Sequence, residues 1–241
     1  MKKIIAILSI IIFTILLIVS SYYLINSLLE NKEINDSHIE LIKDVVIEKD
    51  ESQEKIDWEK LKLINTDIVG WIEIENTNIN YPILKDDDNL YYLKHTFEKK
   101  YNRNGAIFTL DNNPFQNEET VIYGHNMRNG LMFSDLSNYM NEKYLEEHKT
   151  VHIYTEKENY DAEIFSVYSI GVNIEENNIK DLNFEDRVDY YKRASKFNIE
   201  NFTESKKIVK FYTCSYLNNR AIPTDQRYFI VAFLANRLKN P

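Results

Sequence analysis

Three residues of this 241-residue chain have side chains and settings suited to nucleophilic chemistry: Cys214, His125 and Arg227. Cys214 is the only cysteine, and it ends a β-rich run over residues 208–213. Its thiol has two interpretations. It could be a small buried hydrophobe, as many free cysteines are, or a nucleophile at the mouth of a strand that substrate can reach.

His125 is the candidate partner of the thiol. It follows an apolar strand at residues 121–123, and we expect Gly124 to allow an unusual turn that presents the imidazole at a sheet edge. Of the five histidines, only this one combines a strand end, a glycine and an asparagine neighbour. A nearby imidazolium raises the thiolate fraction of a cysteine, whereas a surface histidine would do no chemistry.

Arg227 opens the final predicted strand, residues 228–234, and comes near Cys214 if that strand pairs with the cysteine strand. A fixed guanidinium there could hydrogen-bond an oxyanion or favour the thiolate. A surface arginine at a strand start is the competing interpretation. Arg220, in the loop between the two strands, is a second basic candidate.

The elements that must position these residues are mostly strands. Period-two alternation and β-branched or aromatic runs predict eight of them, near residues 69–75, 79–83, 106–110, 120–123, 151–155, 160–170, 208–213 and 228–234. Few helices separate them, so the fold class is mostly β, a largely antiparallel sheet that is closed or semi-closed. Pro82 would push the second strand towards a sheet edge.

Helical spacing of apolar residues predicts a smaller set of helices. They fall near residues 56–65, 89–93, 135–139 and 142–148, and a longer one begins after Asn183 and runs through Phe197. This last helix leads into the cysteine strand and could form one wall of a substrate groove. The three acids at residues 86–88 lack metal-ligand spacing, so we interpret them as a solvated loop that caps the short helix.

The N-terminus has the features of a membrane anchor. Lys2 and Lys3 precede an apolar run over residues 4–25 that is long enough to cross a hydrocarbon core of about 30 Å. A signal peptide would have a shorter core and a small-x-small cleavage site, which the sequence does not provide. We therefore expect residues 1–29 to be a single-pass anchor in the cell membrane, followed by a helical stalk at 30–55 and one extracellular domain at 56–241.

The charge balance and the cysteine count of the chain limit the classes of function that it can have. The chain has 38 acidic and 29 basic residues, which argues against nucleic acid as a partner. An exported domain that used disulfides would carry an even set of cysteines. A single thiol outside the cytosol is better explained by chemistry than by packing.

Together these residues resemble the sortases, the membrane-anchored cysteine transpeptidases of Gram-positive surfaces, which are built on an eight-stranded β-barrel. The similarity is closest to class B. It is carried by residues 67–72, 81–83, 89–93, 105–108 and 122–127, by Thr213-Cys214 and by Arg227. The chain departs from the usual Thr-Leu-x-Thr-Cys pattern, because the corresponding residues are Lys210-Phe211-Tyr212-Thr213-Cys214, and its connection from Cys214 to Arg227 is long.

The resemblance implies a mechanism and partners. Cys214 would attack a carbonyl in the C-terminal sorting motif of a surface protein, His125 would protonate the leaving amine, and Arg227 would stabilise the oxyanion. A peptidoglycan precursor or a pilin amine would then accept the acyl group, and the chemistry requires no metal or organic cofactor. The same resemblance implies that a sorting-motif groove is lined by Asn89, Leu93, Tyr123 and Thr213.

Three alternatives remain at this stage. A papain-like cysteine peptidase would place its cysteine before its histidine, the reverse of the order in this chain. An L,D-transpeptidase of the cell wall has the same residue order, but with histidine and cysteine much closer in sequence. A non-catalytic surface binding domain would leave Cys214 buried and unreactive.

Overall fold

A computed structural model describes residues 2–50, 53–87, 90–215 and 225–237. The chain divides into two compact units, Met1–Ile47 and Glu48–Pro241. The helices are α1 (Lys2–Val45), α2 (Trp58–Ile64), α3 (Glu142–Glu147), α4 (Val172–Ile179) and α5 (Phe184–Ala194), with 3-10 helices at Tyr91–Leu93 and Ser134–Met140. The strands are β1 (Val46–Asp50), β2 (Gln53–Ile56), β3 (Ile68–Glu73), β4 (Asn80–Lys85), β5 (Ile107–Thr109), β6 (Glu119–Tyr123), β7 (Thr150–Tyr154), β8 (Asn159–Gly171), β9 (Ile208–Cys214) and β10 (Gln226–Asn236).

The first unit consists almost entirely of α1. Within the described residues this is the one helix long and apolar enough to cross a membrane, a test that a signal sequence would also pass. The prediction of a helical stalk over residues 30–55 is wrong beyond Val45. After this residue the chain forms the two-stranded sheet of β1 and β2.

The second unit contains a closed barrel with the strand order β10-β8-β7-β3-β4-β5-β6-β9. Every one of the eight predicted strands is present, and the mostly β, eight-stranded barrel is confirmed. Six of the neighbouring pairs are antiparallel, whereas β4–β5 and β6–β9 are parallel. The parallel pair β6–β9 is the one that carries the candidate histidine and cysteine.

Pro82 does not mark a sheet edge, because β4 lies between β3 and β5 in the closed barrel. Pairing of β4 with β5 begins at Ile83, which lies opposite Ile107. The proline, which has no N–H to donate, thus stands one residue before the parallel pairing starts. Barrel closure has removed the edge that the sequence pattern predicted.

Strand β9 has two faces with different surroundings. Val209 and Phe211, both completely buried, alternate with residues on the opposite face, so they point into the barrel. On the outer face Ile208 packs in a cluster with Val188 and Tyr191 of α5. The predicted helix before the cysteine strand is confirmed, but it ends at Ala194 and not at Phe197.

Of the two capping predictions, the one for α5 is confirmed and the one for the acidic run holds only in part. Asn183 caps α5, since its side chain accepts a hydrogen bond from the Asp186 amide at 2.9 Å. Asp86 accepts a bond from the amide of Tyr92 at 3.0 Å, in the short 3-10 helix. Asp86 thus bonds to the helix turn, but the prediction of a solvated loop is wrong for this residue, which is only 4% exposed.

Candidate active site

Cys214 ends β9 on the outer face of the barrel, two residues beyond Tyr212. It is a free cysteine and is half-buried. Its carbonyl accepts a 2.7 Å hydrogen bond from the side chain of Asn126, and the next amide, that of Ser215, donates to the carbonyl of Gln226 at 2.9 Å. The backbone on both sides of the thiol is therefore fixed, which limits the motion of Sγ to rotation of its own side chain.

Arg227 is the direct partner of Cys214 in the antiparallel pairing of β9 with β10. Side chains at directly opposed positions share a face, and their Cβ atoms lie about 4.5–5.5 Å apart. The Arg227 guanidinium donates to the carbonyl of Gln226 at 2.9 Å and lies 5.6 Å from the ring centroid of Tyr212. The expected proximity of Arg227 to Cys214 is confirmed, whereas Arg220 lies outside the described residues.

His125 reaches the same end of the barrel because β6 and β9 are parallel. Tyr123 lies opposite Tyr212, and the amide of Gly124 donates to the carbonyl of Tyr212 at 3.2 Å. His125 lies just beyond the end of β6, and Cys214 is the last residue of β9. The bond from Asn126 to the Cys214 carbonyl joins the two strand ends directly.

The imidazole of His125 has a defined orientation. Its Nε2 atom lies 2.8 Å from the carbonyl oxygen of Leu93. A carbonyl can only accept, so Nε2 must carry a proton, and in the neutral ring Nδ1 is the nitrogen that accepts one.

Gly124 has a different role from the one expected. Its φ is not in the left-handed region, which among the described glycines is occupied by Gly105 and Gly130. A Cβ at position 124 would instead lie 2.5 Å from Cδ1 of Ile107 and 2.6 Å from the ring of Phe133. Glycine is required because two core side chains approach the backbone closely, and this packing fixes the path of the chain into His125.

The four predicted groove residues separate into three groups. Leu93 and Tyr123 lie at the site: Leu93 contacts His125, and the Tyr123 ring is 5.0 Å from that of Tyr212. Thr213 is only 1% exposed and lies on the opposite face of β9 from Cys214, so its side chain points into the barrel. Asn89 lies outside the described residues.

Helix α4 is an element of the site that the sequence did not reveal. The amide of Val172, its first residue, donates to the carbonyl of Asp225, two residues before Arg227. Ile174 is 54% exposed on this helix. Its composition hides it, since residues 172–179 contain only β-branched residues, asparagine and glutamate.

Glu176 of α4 interacts electrostatically with the tyrosines of the site. Burial, then the neighbouring Tyr212 and the carboxylates of Glu119 and Glu176, raise the pKa of Tyr123 to about 12. Burial also raises the pKa of Tyr212, with a contribution from Glu176, although Arg227 opposes it. Both phenols therefore stay neutral at physiological pH and can donate hydrogen bonds.

In the parts of the chain that the structure describes, no three His, Cys, Asp or Glu side chains are grouped as a metal site requires.

The barrel and the end that carries Cys214, His125 and Arg227 define a class of cysteine-containing, eight-stranded β-barrel proteins. A family model, the Sortase domain, matches residues 72–235, which is more than half of the chain. The chain belongs to the sortase family, whose members are cysteine transpeptidases.

Individual relatives place the similarity in class B, as the sequence resemblance implied. Sortase B of Listeria monocytogenes is 37% identical over 160 residues, which span 64% of this chain and 65% of that protein. Sortase B of Staphylococcus aureus is 29% identical over 224 residues, spanning 89% and 91%. The crystal structure of Clostridium perfringens sortase B superimposes with a TM-score of 0.66 at 32% identity, covering 73% of this chain and 98% of that one.

Proposed function

We propose that this chain cleaves a sorting motif near the C-terminus of surface proteins and transfers the acyl group to an amine. In the first step the Cys214 thiolate forms an S–C bond with the scissile carbonyl, and the C–N bond breaks as the departing amine takes a proton from His125. In the second step the incoming amine gives a proton back to His125 and displaces the thiolate, which leaves a new amide bond. No oxidant or cofactor enters this balance.

The direct pairing of Arg227 with Cys214 is the observation that carries the proposal. An oxyanion that forms next to Sγ would lie on the same face as the guanidinium, and a donor already in place stabilises it without reorganisation. Because both residues belong to paired strands, their separation is set by the ladder rather than by a loop. Arg227 is therefore the proposed oxyanion donor.

The contact between His125 and Leu93 supports the proton-transfer step. Since Leu93 holds Nε2–H, Nδ1 is the nitrogen proposed to protonate the leaving amine. Leu93 and Tyr123 are proposed to line the peptide groove, together with α4 and Asn89. Thr213, whose side chain faces the barrel interior, would contact substrate only through its backbone.

The partners follow from the same proposal. They are surface proteins with a sorting motif as acyl donors, and a peptidoglycan precursor or a pilin lysine as the amine. We propose residues 1–29 as the membrane anchor, 30–55 as a stalk that is helical only to Val45, and 56–241 as the extracellular catalytic domain. Fused reporters should place Lys2 inside and the C-terminus outside, and a mature N-terminus beyond residue 20 would contradict the anchor.

The reaction can be tested by incubating the full-length protein in detergent micelles with a library of sorting-motif peptides and an amine. Mass spectrometry after acid quench should detect an acyl adduct on Cys214 and an amide product, and the Cys214→Ala variant should give neither while keeping its fold. Release of the free acid alone would favour a cysteine peptidase. A Cys214 thiol that resists labelling at neutral pH would favour a non-catalytic binding domain.

A further inference from the structure

Lys210 is a buried cation on the outer face of the cysteine strand. It is 5% exposed, although it stands only four residues before Cys214. Its Nζ atom lies 3.3 Å from a carboxylate oxygen of Glu119 and 3.6 Å from one of Glu175, and it donates to the hydroxyl of Tyr191 at 3.1 Å. Lysine is almost never buried unless it is paired, and here one ammonium is shared between two acids.

The two acids have further partners. Tyr168 and Tyr190 donate to the two oxygens of Glu175 at 2.6 and 2.8 Å, and Tyr191 donates to Glu119 at 2.9 Å. Glu175 itself is only 2% exposed. Removing one member of such a network leaves an uncompensated buried charge, which is much more costly than the pair is favourable. The arrangement therefore resists displacement of any of its parts.

The network joins three elements of the site. Lys210 belongs to β9, which ends at Cys214, and Glu119 belongs to β6, which leads to His125. These two strands already hold each other through the ladder between them. Glu175 belongs to α4, a two-turn helix too short to be stable on its own. Lys210 is thus the residue of β9 to which α4 is attached.

The first turn of α4 lies beside the segment that leads into Arg227. Its first amide bonds to Asp225, two residues before Arg227, and Ile174 presents an exposed apolar side chain. Glu176, next to the buried Glu175, lies near enough to Tyr123 and Tyr212 to affect both phenols. A shift of α4 would therefore move Ile174 and Glu176 relative to Cys214.

We propose that Lys210 is a positioning residue which, through Glu175, sets where α4 lies and so determines which sorting-motif side chains fit between α4 and Cys214. This inference rests on the proposed function for the identity of the peptide. The proposal assigns peptide selectivity to Lys210, which a purely structural role would not do. It does not assign the chemical step to this residue. Lys210 touches neither substrate nor the reacting atoms.

The experiment uses the full-length protein with Lys210→Met, Glu175→Gln and the double variant. Lys192→Met is the matched control, since Lys192 is a more exposed lysine of α5 that pairs with Glu204. We expect KM for the preferred peptide to rise about tenfold in either single variant, with kcat within about twofold of the wild type. The ratio of kcat/KM between two peptides that differ in one side chain should also change. The double variant should lose no more than the worse single variant, because both changes remove one interaction.

Two further readouts do not depend on transpeptidation. Hydrogen exchange of the α4 amides, residues 172–179, should accelerate in both variants, whereas alkylation of Cys214 by iodoacetamide should keep its wild-type rate. Lys192→Met should match the wild type throughout. If Lys210→Met does not fold, the milder Glu175→Gln variant decides.

Unchanged KM and unchanged α4 exchange in Glu175→Gln would overturn the inference. A fall in kcat that is equal for all peptides, at constant KM, would also overturn it. A wild-type protein that forms no acyl-enzyme would contradict the proposed function instead, while the exchange measurement would still show whether Lys210 holds α4.

Discussion

Two histidines of the barrel have opposite surroundings. His125, at the end of β6, has its Nε2 atom on the neutral backbone carbonyl of Leu93. His152, in β7, has its Nδ1 atom 2.7 Å from a carboxylate oxygen of Asp161, and Glu75 lies 3.7 Å from its other nitrogen. The first ring is oriented without a neighbouring charge in that contact, and the second is held between acids.

Two arginines differ in the same way. Arg237 forms hydrogen bonds from Nε to both oxygens of Asp161, at 2.9 and 3.1 Å, and its guanidinium lies over Tyr154. Arg227 donates to a backbone carbonyl and lies over Tyr212. A bidentate ion pair fixes a guanidinium on one partner. One arginine is thus fixed on a carboxylate, whereas the other lies beside the candidate nucleophile and over a tyrosine ring.

Substitution of the two histidines should give the largest difference in kcat. His125→Ala should lower kcat by about a hundred- to ten-thousandfold, since the proton donor is lost, while the melting temperature stays near the wild-type value. His152→Ala should keep its turnover and lose about 1–2 kcal/mol of unfolding free energy, because it leaves a partly buried hydrogen-bond partner. Peptide turnover and thermal unfolding of both variants test this, and a large activity loss at His152 would remove the distinction.

The two arginines should show the next largest difference in kcat. Arg227→Ala should cost roughly a hundred- to a thousandfold in kcat, and Arg227→Lys should rescue poorly because an ammonium lacks the planar fork. Arg237→Ala, the matched control, should lower stability and leave kcat close to the wild type. Steady-state kinetics with one peptide should include Arg220→Ala, for which we expect a change mainly in KM. A greater kcat loss at Arg220 than at Arg227 would show that the oxyanion donor was wrongly assigned.

Two glycines test whether close packing fixes the path of the chain into His125. Gly124→Ala should lower the free energy of unfolding by about 1–3 kcal/mol, as overpacking of a core does, because the new Cβ would collide with Ile107 and Phe133. At Gly171 the nearest atom to such a Cβ is 3.4 Å away, an ordinary contact. Urea unfolding of Gly171→Ala should therefore show a smaller change, and equal effects at the two positions would contradict the packing argument.

The smallest effect concerns the ion-paired region. Although burial opposes its ionisation, hydrogen bonds from His152 and Arg237 lower the pKa of Asp161 to about 2. A lowered pKa means that this carboxylate stabilises the fold above its unfolded pKa, and that the contribution is lost as pH falls from about 4 through 2. Asp161→Asn should therefore cost on the order of 1 kcal/mol near neutral pH, a figure reduced for solvent screening. In unfolding curves at successive pH values, the difference from the wild type should shrink towards zero below about pH 2, and a constant difference would be inconsistent with this origin.

The sequence predicted the strands well because their information is local. Alternating burial leaves a period-two pattern in each strand, so all eight barrel strands were found. The pairing of Arg227 with Cys214 followed from two strands that are consecutive in the chain, and such neighbours usually pair. The nucleophile candidate itself needed only a count of cysteines.

The remaining features depend on contacts between distant residues. Lys210 was visible as a departure from a motif, but its partners Glu119 and Glu175 belong to other elements and leave no local pattern. The close approach of Ile107 and Phe133 to Gly124 is equally non-local, and a glycine is as typical of a turn as of a tight contact. Helix α4 was missed because tertiary contacts, and not helix propensity, stabilise it.

Strand β9 is the element that closes the barrel, since it lies between β6 and β10. If β9 is removed, the other seven strands form only an open sheet with two unpaired edges, which are sites of aggregation. Its parallel pairing with β6 brings together residues as distant as Asn126 and Cys214, 88 positions apart, and contacts of such long range form slowly. The alignment of Cys214 with His125 therefore depends on a contact between distant parts of the chain, so a chain in which β9 is unpaired carries its cysteine away from His125.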